Sequence, residues 1–261
     1  MGIREQRSGL NDRVALVTGG GSGIGMASAL AFAKAGAKVV IADLNAASGN
    51  KTVSQITALG RDGLFIETDV SQAEEVESLI SQIVKVFGRL DFAHNNAGIA
   101  GKTAKTADCT EDNWDHVIST NLKSIWLCMK YEIGQMCQQH AGVIVNTSSV
   151  LGLIGSTRGL PAYVASKHGI IGLTKTVALE YAAEGIRINV VCPGAIDTPF
   201  RLQIGEPVGT NTDASQRYPI GRIGKPEDVA DAVVWLCSEE ASFITGATVV
   251  IDGGLTAREI I

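Results

Sequence analysis

An α/β fold, a doubly wound parallel sheet with helices on both faces, is predicted by three observations. Short apolar runs alternate with amphipathic stretches throughout, a glycine-rich turn follows the first run, and no linker, repeat or low-complexity segment divides the chain. Alternation of this kind implies parallel strands joined by crossover helices. The 261 residues are therefore read as a single domain, 1–261.

Val14-Ala15-Leu16-Val17 reads as the first strand, followed by the glycine turn and a helix through Met26 to Ala35. Lys38 to Ala42 is the second strand, Asn45 caps a helix to about Leu59, and Gly63 to Glu67 is the third strand. Ser71-Gln72-Ala73-Glu74 has capping-box spacing and opens a helix to about Phe87. Leu90 to Ala93 is a fourth strand, Trp114 to Gln138 a long helix and Gly142 to Asn146 a fifth strand. Tyr163 to Ala183 is helical and Ile186 to Cys192 a sixth strand. Pro226, Glu227 and Asp228 suit the first turn of a helix reaching Cys237, and Ala247 to Ile251 is a last short strand. The stretch 197–221, rich in Gly and Pro and weak in periodicity, follows a strand's carboxyl end and is expected to be a substrate-binding lid.

A net charge of −5 and a pI near 5.4 argue against nucleic acid or an anionic membrane surface as partner. No apolar run approaches the ~20 residues that cross a bilayer, and the N-terminus lacks a signal-peptide core, so a soluble, cytoplasmic protein is expected. The five cysteines form no CxxC pair and read as free thiols, and the dispersed histidines make no metal site.

Two segments carry chemistry. Gly19 to Gly25 joins the first strand to the first helix, where glycines let a helix N-terminus approach a pyrophosphate, although the spacing is not the literal GxGxxG. Asp43 ends the second strand, eighteen residues beyond Gly25, where a carboxylate can accept both adenosine ribose hydroxyls and repel the extra phosphate of NADP. NAD is thus the expected cofactor, with capping of the next helix as the plainer role for Asp43. The second segment is Tyr163-Val164-Ala165-Ser166-Lys167, whose Tyr and Lys share one helical face. A free phenol has a pKa near ~10, and an adjacent ammonium is expected to lower it into a range useful for proton transfer.

On these and further motifs the chain resembles the classical short-chain dehydrogenase/reductases over nearly its whole length. Thr18-Gly19-x-x-x-Gly23-x-Gly25, with Ser22 and Ile24 inside it, matches the family's cofactor turn, and Asp43-Leu44 follows strand two. Asp69-Val70 matches the adenine-side pair, and Asn95-Asn96-Ala97-Gly98 the motif after strand four. Asn121 matches the helix Asn, Ser149 the Ser of Asn146-Thr147-Ser148-Ser149, and Tyr163 with Lys167 the YxxxK pair. Pro193-Gly194, with Ile196 and Thr198, matches the stretch around the nicotinamide.

The resemblance implies a Rossmann-fold NAD(H)-dependent oxidoreductase that interconverts a secondary alcohol and a ketone. Tyr163 would be the acid/base, Lys167 would hold the nicotinamide ribose, Ser149 would bind the substrate oxygen and Asn121 would support a water-linked proton path. It also implies a homotetramer packed through the two long helices and Thr245–Ile261. A non-catalytic NAD-binding sensor or scaffold on this fold is the alternative. The substrate is expected to be a small neutral alcohol or ketone, since Val150, Leu151, Leu153, Ile154 and Leu160 are apolar; Arg158 and Arg201 in the nearby loops read as solvated. Two departures stand out. Ser149 and Tyr163 are fourteen residues apart, one more than usual, which is read as an insertion in the 155–161 loop. His94 precedes the Asn-Asn-Ala-Gly motif where an aliphatic residue is common, and reads as a packed, hydrogen-bonded core side chain.

Overall fold

The computed structural model describes residues 10–205 and 218–257. Seven parallel strands form one sheet in the order β3-β2-β1-β4-β5-β6-β7: β1 Val14–Thr18, β2 Lys38–Asp43, β3 Gly63–Glu67, β4 Phe92–Asn95, β5 Gly142–Thr147, β6 Ile186–Pro193 and β7 Thr248–Ile251. The helices are α1 Gly23–Lys34, α2 Ala46–Ala58, α3 Ala73–Phe87, α4 Glu111–Ile118, α5 Ser124–Gln139, α6 Pro161–Tyr181, α7 Phe200–Gln203 and α8 Pro226–Cys237. The order reverses between β1 and β4, the switch point at which open α/β sheets bind ligands beyond their strand ends.

Strand alternation builds both faces at once. Val14 and Leu16 pack with Leu79 and Ile83 of α3, Met129 of α5 and Ile170 of α6. Ala15 and Val17 join the opposite layer with Phe32 of α1 and Val229 and Val233 of α8. In that layer the Phe32 and Phe92 rings stack at 6.1 Å. Burial on both sides explains why the strands read as continuous apolar runs.

Local signals set most of the boundaries. The Asn45 side chain accepts from Ser48 N at 3.0 Å and caps α2, and Gly88, at φ 76°, ends α3 in the left-handed region. The Ser71 capping box does not form. Gln72 stands at the N-cap without a side-chain bond, and Asp69 accepts from both the amide and the hydroxyl of Ser71. The fourth strand starts later than predicted, because Leu90 N donates to the Gln139 side chain rather than to the ladder. The predicted long helix at 114–138 is two helices, α4 and α5, joined by a π turn over Ser119–Lys123.

Of the expected lid, Asp197–Gly205 and Tyr218–Gly221 are described and include α7, while 206–217 lies outside the described residues, as do 258–261 of the C-terminal segment. Among the described residues no helix is long and apolar enough to cross a membrane. All five cysteines are free; Cys128, Cys192 and Cys237 are buried, and Cys109 and Cys137 are half-buried.

Candidate active site

A cavity of about 1240 Å³ opens along the carboxyl ends of the strands. Its wall brings together Gly19, Ser22, Gly23, Ile24, Asp43, Leu44, Asp69, Val70, Ala97, Gly98, Ser149, Tyr163, Lys167, Pro193, Gly194, Ile196 and Thr198, which the sequence singled out. Thr18, Gly25, Asn95 and Asn121 stand behind the wall.

Each of those four has an identifiable structural task. Thr18 Oγ1 accepts from Asn96 N and Ala97 N at 3.0 and 3.2 Å, tying the glycine turn to the loop after β4. A Cβ at Gly25 would collide with the carbonyl oxygen of Gly19, so this glycine permits the close approach of turn and helix. The Asn95 side chain points into the core, where Nδ2 donates to Glu132 Oε2 and Asn146 Oδ1 at 3.0 and 3.1 Å. Asn96 takes its place in the wall. Asn121, fully buried in the π turn, pairs with the backbone of Ile99 through both amide atoms and donates to Ser166 Oγ at 3.2 Å. Single-turn π insertions of this kind occur frequently at functional sites.

At one end of the cavity the N-terminus of α1 faces inward. Ser22 makes no side-chain cap and the first turn carries no acidic residue, so its N–H groups and dipole are available to an anion. Gly19, at φ 63°, makes the turn leading to it. The Asp43 carboxylate accepts from Gly21 N and Asn45 N, each at 2.9 Å, which leaves further lone pairs for ligand hydroxyls. It shapes the turn as well as facing the cavity, and Asn45 performs the helix capping. A glycine turn, an uncapped helix N-terminus and a carboxylate at the end of β2 fit the pyrophosphate and adenosine ribose of a dinucleotide.

At the other end, the Ser149 hydroxyl, which accepts from Leu151 N at 3.1 Å, lines the cavity with the Tyr163 phenol. Ser148 is committed elsewhere, since its Oγ donates to Lys167 O at 2.7 Å and secures α6. Lys167 Nζ donates to Thr147 O at 2.9 Å and lies 5.5 Å from the Tyr163 ring centroid. Burial pushes the phenol up to about 12, opposed in part by the neighbouring Ser149 hydroxyl, and lowers Lys167 to about 8. This corrects the expectation that Lys167 depresses the Tyr163 pKa. Loss of water around each group is the largest cause of both shifts, and the ammonium stands over the ring.

Beside them Ile99, Leu151, Leu160, Phe200 and Ile204 form an apolar cluster with Tyr163. Phe200, which no sequence pattern marked, packs against the Tyr163 ring. Arg201 is buried in the cavity wall and faces Asp197 at 3.5 Å, contrary to the solvated role read from sequence. His94 is fully buried, with Nε2 at 2.8 Å from Thr147 Oγ1 and its pKa lowered by burial to about 3.

The family model described as enoyl-(acyl carrier protein) reductase matches residues 19–256. The chain belongs to the classical short-chain dehydrogenase/reductase family. Among its relatives is a cyclohexanol dehydrogenase of Acinetobacter sp. (strain SE19), 42% identical across 95% of this chain and 96% of that protein. The crystal structure of levodione reductase superimposes with a TM-score of 0.89 at 35% identity, covering 95% of this chain and 99% of the other. The NAD⁺-bound xylitol dehydrogenase structure gives a TM-score of 0.88 at 31% identity, covering 94% and 100%.

Proposed function

We propose that this protein is an NAD(H)-dependent dehydrogenase that interconverts a secondary alcohol and a ketone, with Tyr163 as the acid/base. The observation that carries this reading is the convergence of the Ser149 hydroxyl, the Tyr163 phenol and the Lys167 ammonium on one cavity beside an anion-ready helix N-terminus. A bound nicotinamide cofactor supplies the hydride acceptor or donor.

Gly19, Ser22, Gly23 and Ile24 would hold its pyrophosphate, Asp43 and Leu44 its adenosine ribose, and Asp69 and Val70 its adenine. Ala97, Gly98, Pro193, Gly194, Ile196 and Thr198 would flank the nicotinamide half. The carboxylate of Asp43 favours NAD over NADP by charge, and the NAD⁺-bound relative is consistent with that choice. Ser149 would hydrogen-bond the substrate oxygen and Tyr163 would move its proton. Lys167 would hold ribose hydroxyls. Asn121 would keep the π turn open for a proton path to solvent.

The substrate is best read as a small alicyclic alcohol. The cluster of Ile99, Leu151, Leu160, Phe200 and Ile204 offers an apolar surface to a ring, and the cyclohexanol dehydrogenase relative acts on a substrate of that kind. A homotetramer is supported by exposed apolar side chains on α5, α6 and β7, namely Trp126, Leu179 and Val250, and sizing in solution tests it. The deciding assay for the activity is NADH formation from NAD⁺ and a panel of cyclic secondary alcohols, with NADP⁺ and Tyr163→Phe as controls. Tyr163-dependent turnover supports the dehydrogenase, while tight NAD⁺ binding without turnover on any member supports the sensor reading instead.

A further inference from the structure

The ends of β4 and β5 are not level. Their backbone register runs through His94↔Val145 and Asn95↔Asn146, and β4 stops there, whereas β5 continues to Thr147. Thr147 is paired with Val191 of β6 on its other side. Toward β4 the register ends one residue short of it, and the chain turns away into 96–98 to meet Thr18. On one face of the sheet the His94 imidazole reaches across to Thr147 Oγ1 at 2.8 Å.

Thr147 is also the residue whose carbonyl accepts from Lys167 Nζ at 2.9 Å. Side chain and carbonyl of one residue thus link a histidine under the sheet to the ammonium in the cavity. We propose, on the reading that Lys167 works in alcohol–ketone chemistry, that His94 is a positioning residue for Lys167, acting through Thr147. The imidazole fixes the overhanging end of β5, and the fixed carbonyl sets where the ammonium stands relative to Tyr163.

The chemistry of the histidine suits this task. It lies on a sheet face otherwise lined by Val17, Val145 and Val191, where an aliphatic side chain would be cheaper to bury. Among the described residues its Nδ1 has no hydrogen-bond partner. The ring therefore meets the protein's polar groups through Nε2 and Thr147 Oγ1, the donor of that bond being set by the tautomer. Burial keeps the ring neutral, so it adds no charge of its own beside Lys167. Among the described residues, those bearing on the Lys167 charge include the Tyr163 ring, on its own helix, and the Cys192 thiol of β6, besides the Thr147 carbonyl.

The test follows the ammonium directly. Protein labelled with [13Cε]lysine is titrated without cofactor, the Lys167 signal being assigned by its loss in Lys167→Met. His94→Leu and Thr147→Val are each expected to displace the Lys167 midpoint from that of the wild type. His94→Leu/Thr147→Val together should go no further than either alone, and His94→Gln, which can still hydrogen-bond, should restore most of the wild-type value. The pH profile of kcat on a cyclic alcohol should move in parallel. An unchanged midpoint in both single variants, or displacements that add in the double variant, would overturn the proposal. Should His94→Leu not fold, the nearly isosteric Thr147→Val carries the same test. Undiminished turnover in Lys167→Met would instead sink the reading of Lys167 as a working residue, leaving the midpoint shifts to judge His94 separately.

Discussion

The ring of Phe200 rests against that of Tyr163, with centroids 5.8 Å apart and planes inclined by 41°. Phe200 opens the short α7 beyond β6, so the residue proposed to move the proton and one wall of the proposed substrate pocket are in van der Waals contact. Phe200→Ala should lower kcat/KM for a cyclic secondary alcohol by roughly 10–100-fold, the span that missing apolar contacts command in specificity. KM for NAD⁺ should stay near the wild-type value. Steady-state kinetics with both substrates varied checks this, and an equal loss in both parameters would count against a substrate-side wall.

Tyr163→Phe removes only the phenol oxygen and keeps the ring that packs on Phe200 and under Lys167. Turnover should fall by about 10²–10⁴-fold, the usual worth of a positioned acid/base. NAD⁺ affinity by calorimetry and the thermal midpoint should change little.

Asp43→Asn keeps an acceptor for Gly21 N while removing the charge. The ratio of kcat/KM for NADP⁺ to that for NAD⁺ should rise by about tenfold, equivalent to roughly 1.4 kcal/mol of relieved repulsion. Asp43→Ala should in addition weaken both cofactors, because the turn loses an anchor. An unchanged ratio in both variants would assign the discrimination to another residue.

Glu132, buried on α5 beneath Asn95, has its carboxyl pushed by burial from 4.5 to about 8. Across that window the folded protein keeps a proton that the unfolded chain has released. Stability should therefore be fully present below about pH 4.5 and fall as pH rises through about 8, at up to ~1.4 kcal/mol per pH unit from this group. Glu132→Gln, which stays neutral and can still accept from Asn95, should flatten that slope between about pH 4.5 and 8 in urea titrations at several pH values.

Much of this was legible in the sequence because it lives in local chemistry. The apolar runs gave the strands, Asn45 and Pro226 marked helix starts, and the motifs placed Ser149, Tyr163 and Lys167 in one cavity. What escaped depends on long-range geometry. Asn95 and Asn96 look alike in a motif, yet strand alternation sends the first toward Glu132 and the second to the cavity. Asp69 outcompeted the Ser71 capping box because both amide and hydroxyl of Ser71 lie within its reach. The Tyr163 shift reflects burial by residues distant in sequence, which spacing alone does not reveal.

The π turn over Ser119–Lys123 carries a consequence for how this chain can vary in length. One more residue is accommodated there than an α-helix would take, and each helical residue advances the rotation by about 100°. Losing any one residue between Ser119 and Lys123 would let α4 and α5 merge into a regular rod with nearly the same helical content. The flanking helices would keep their phase, since a π turn spreads about the same rotation over one more residue; the cost would fall on the Asn121 amide, which would turn away from Ile99 and Ser166. Substitutions in this stretch can be sampled one by one, but its residue count is held by the place of a single amide, that of Asn121.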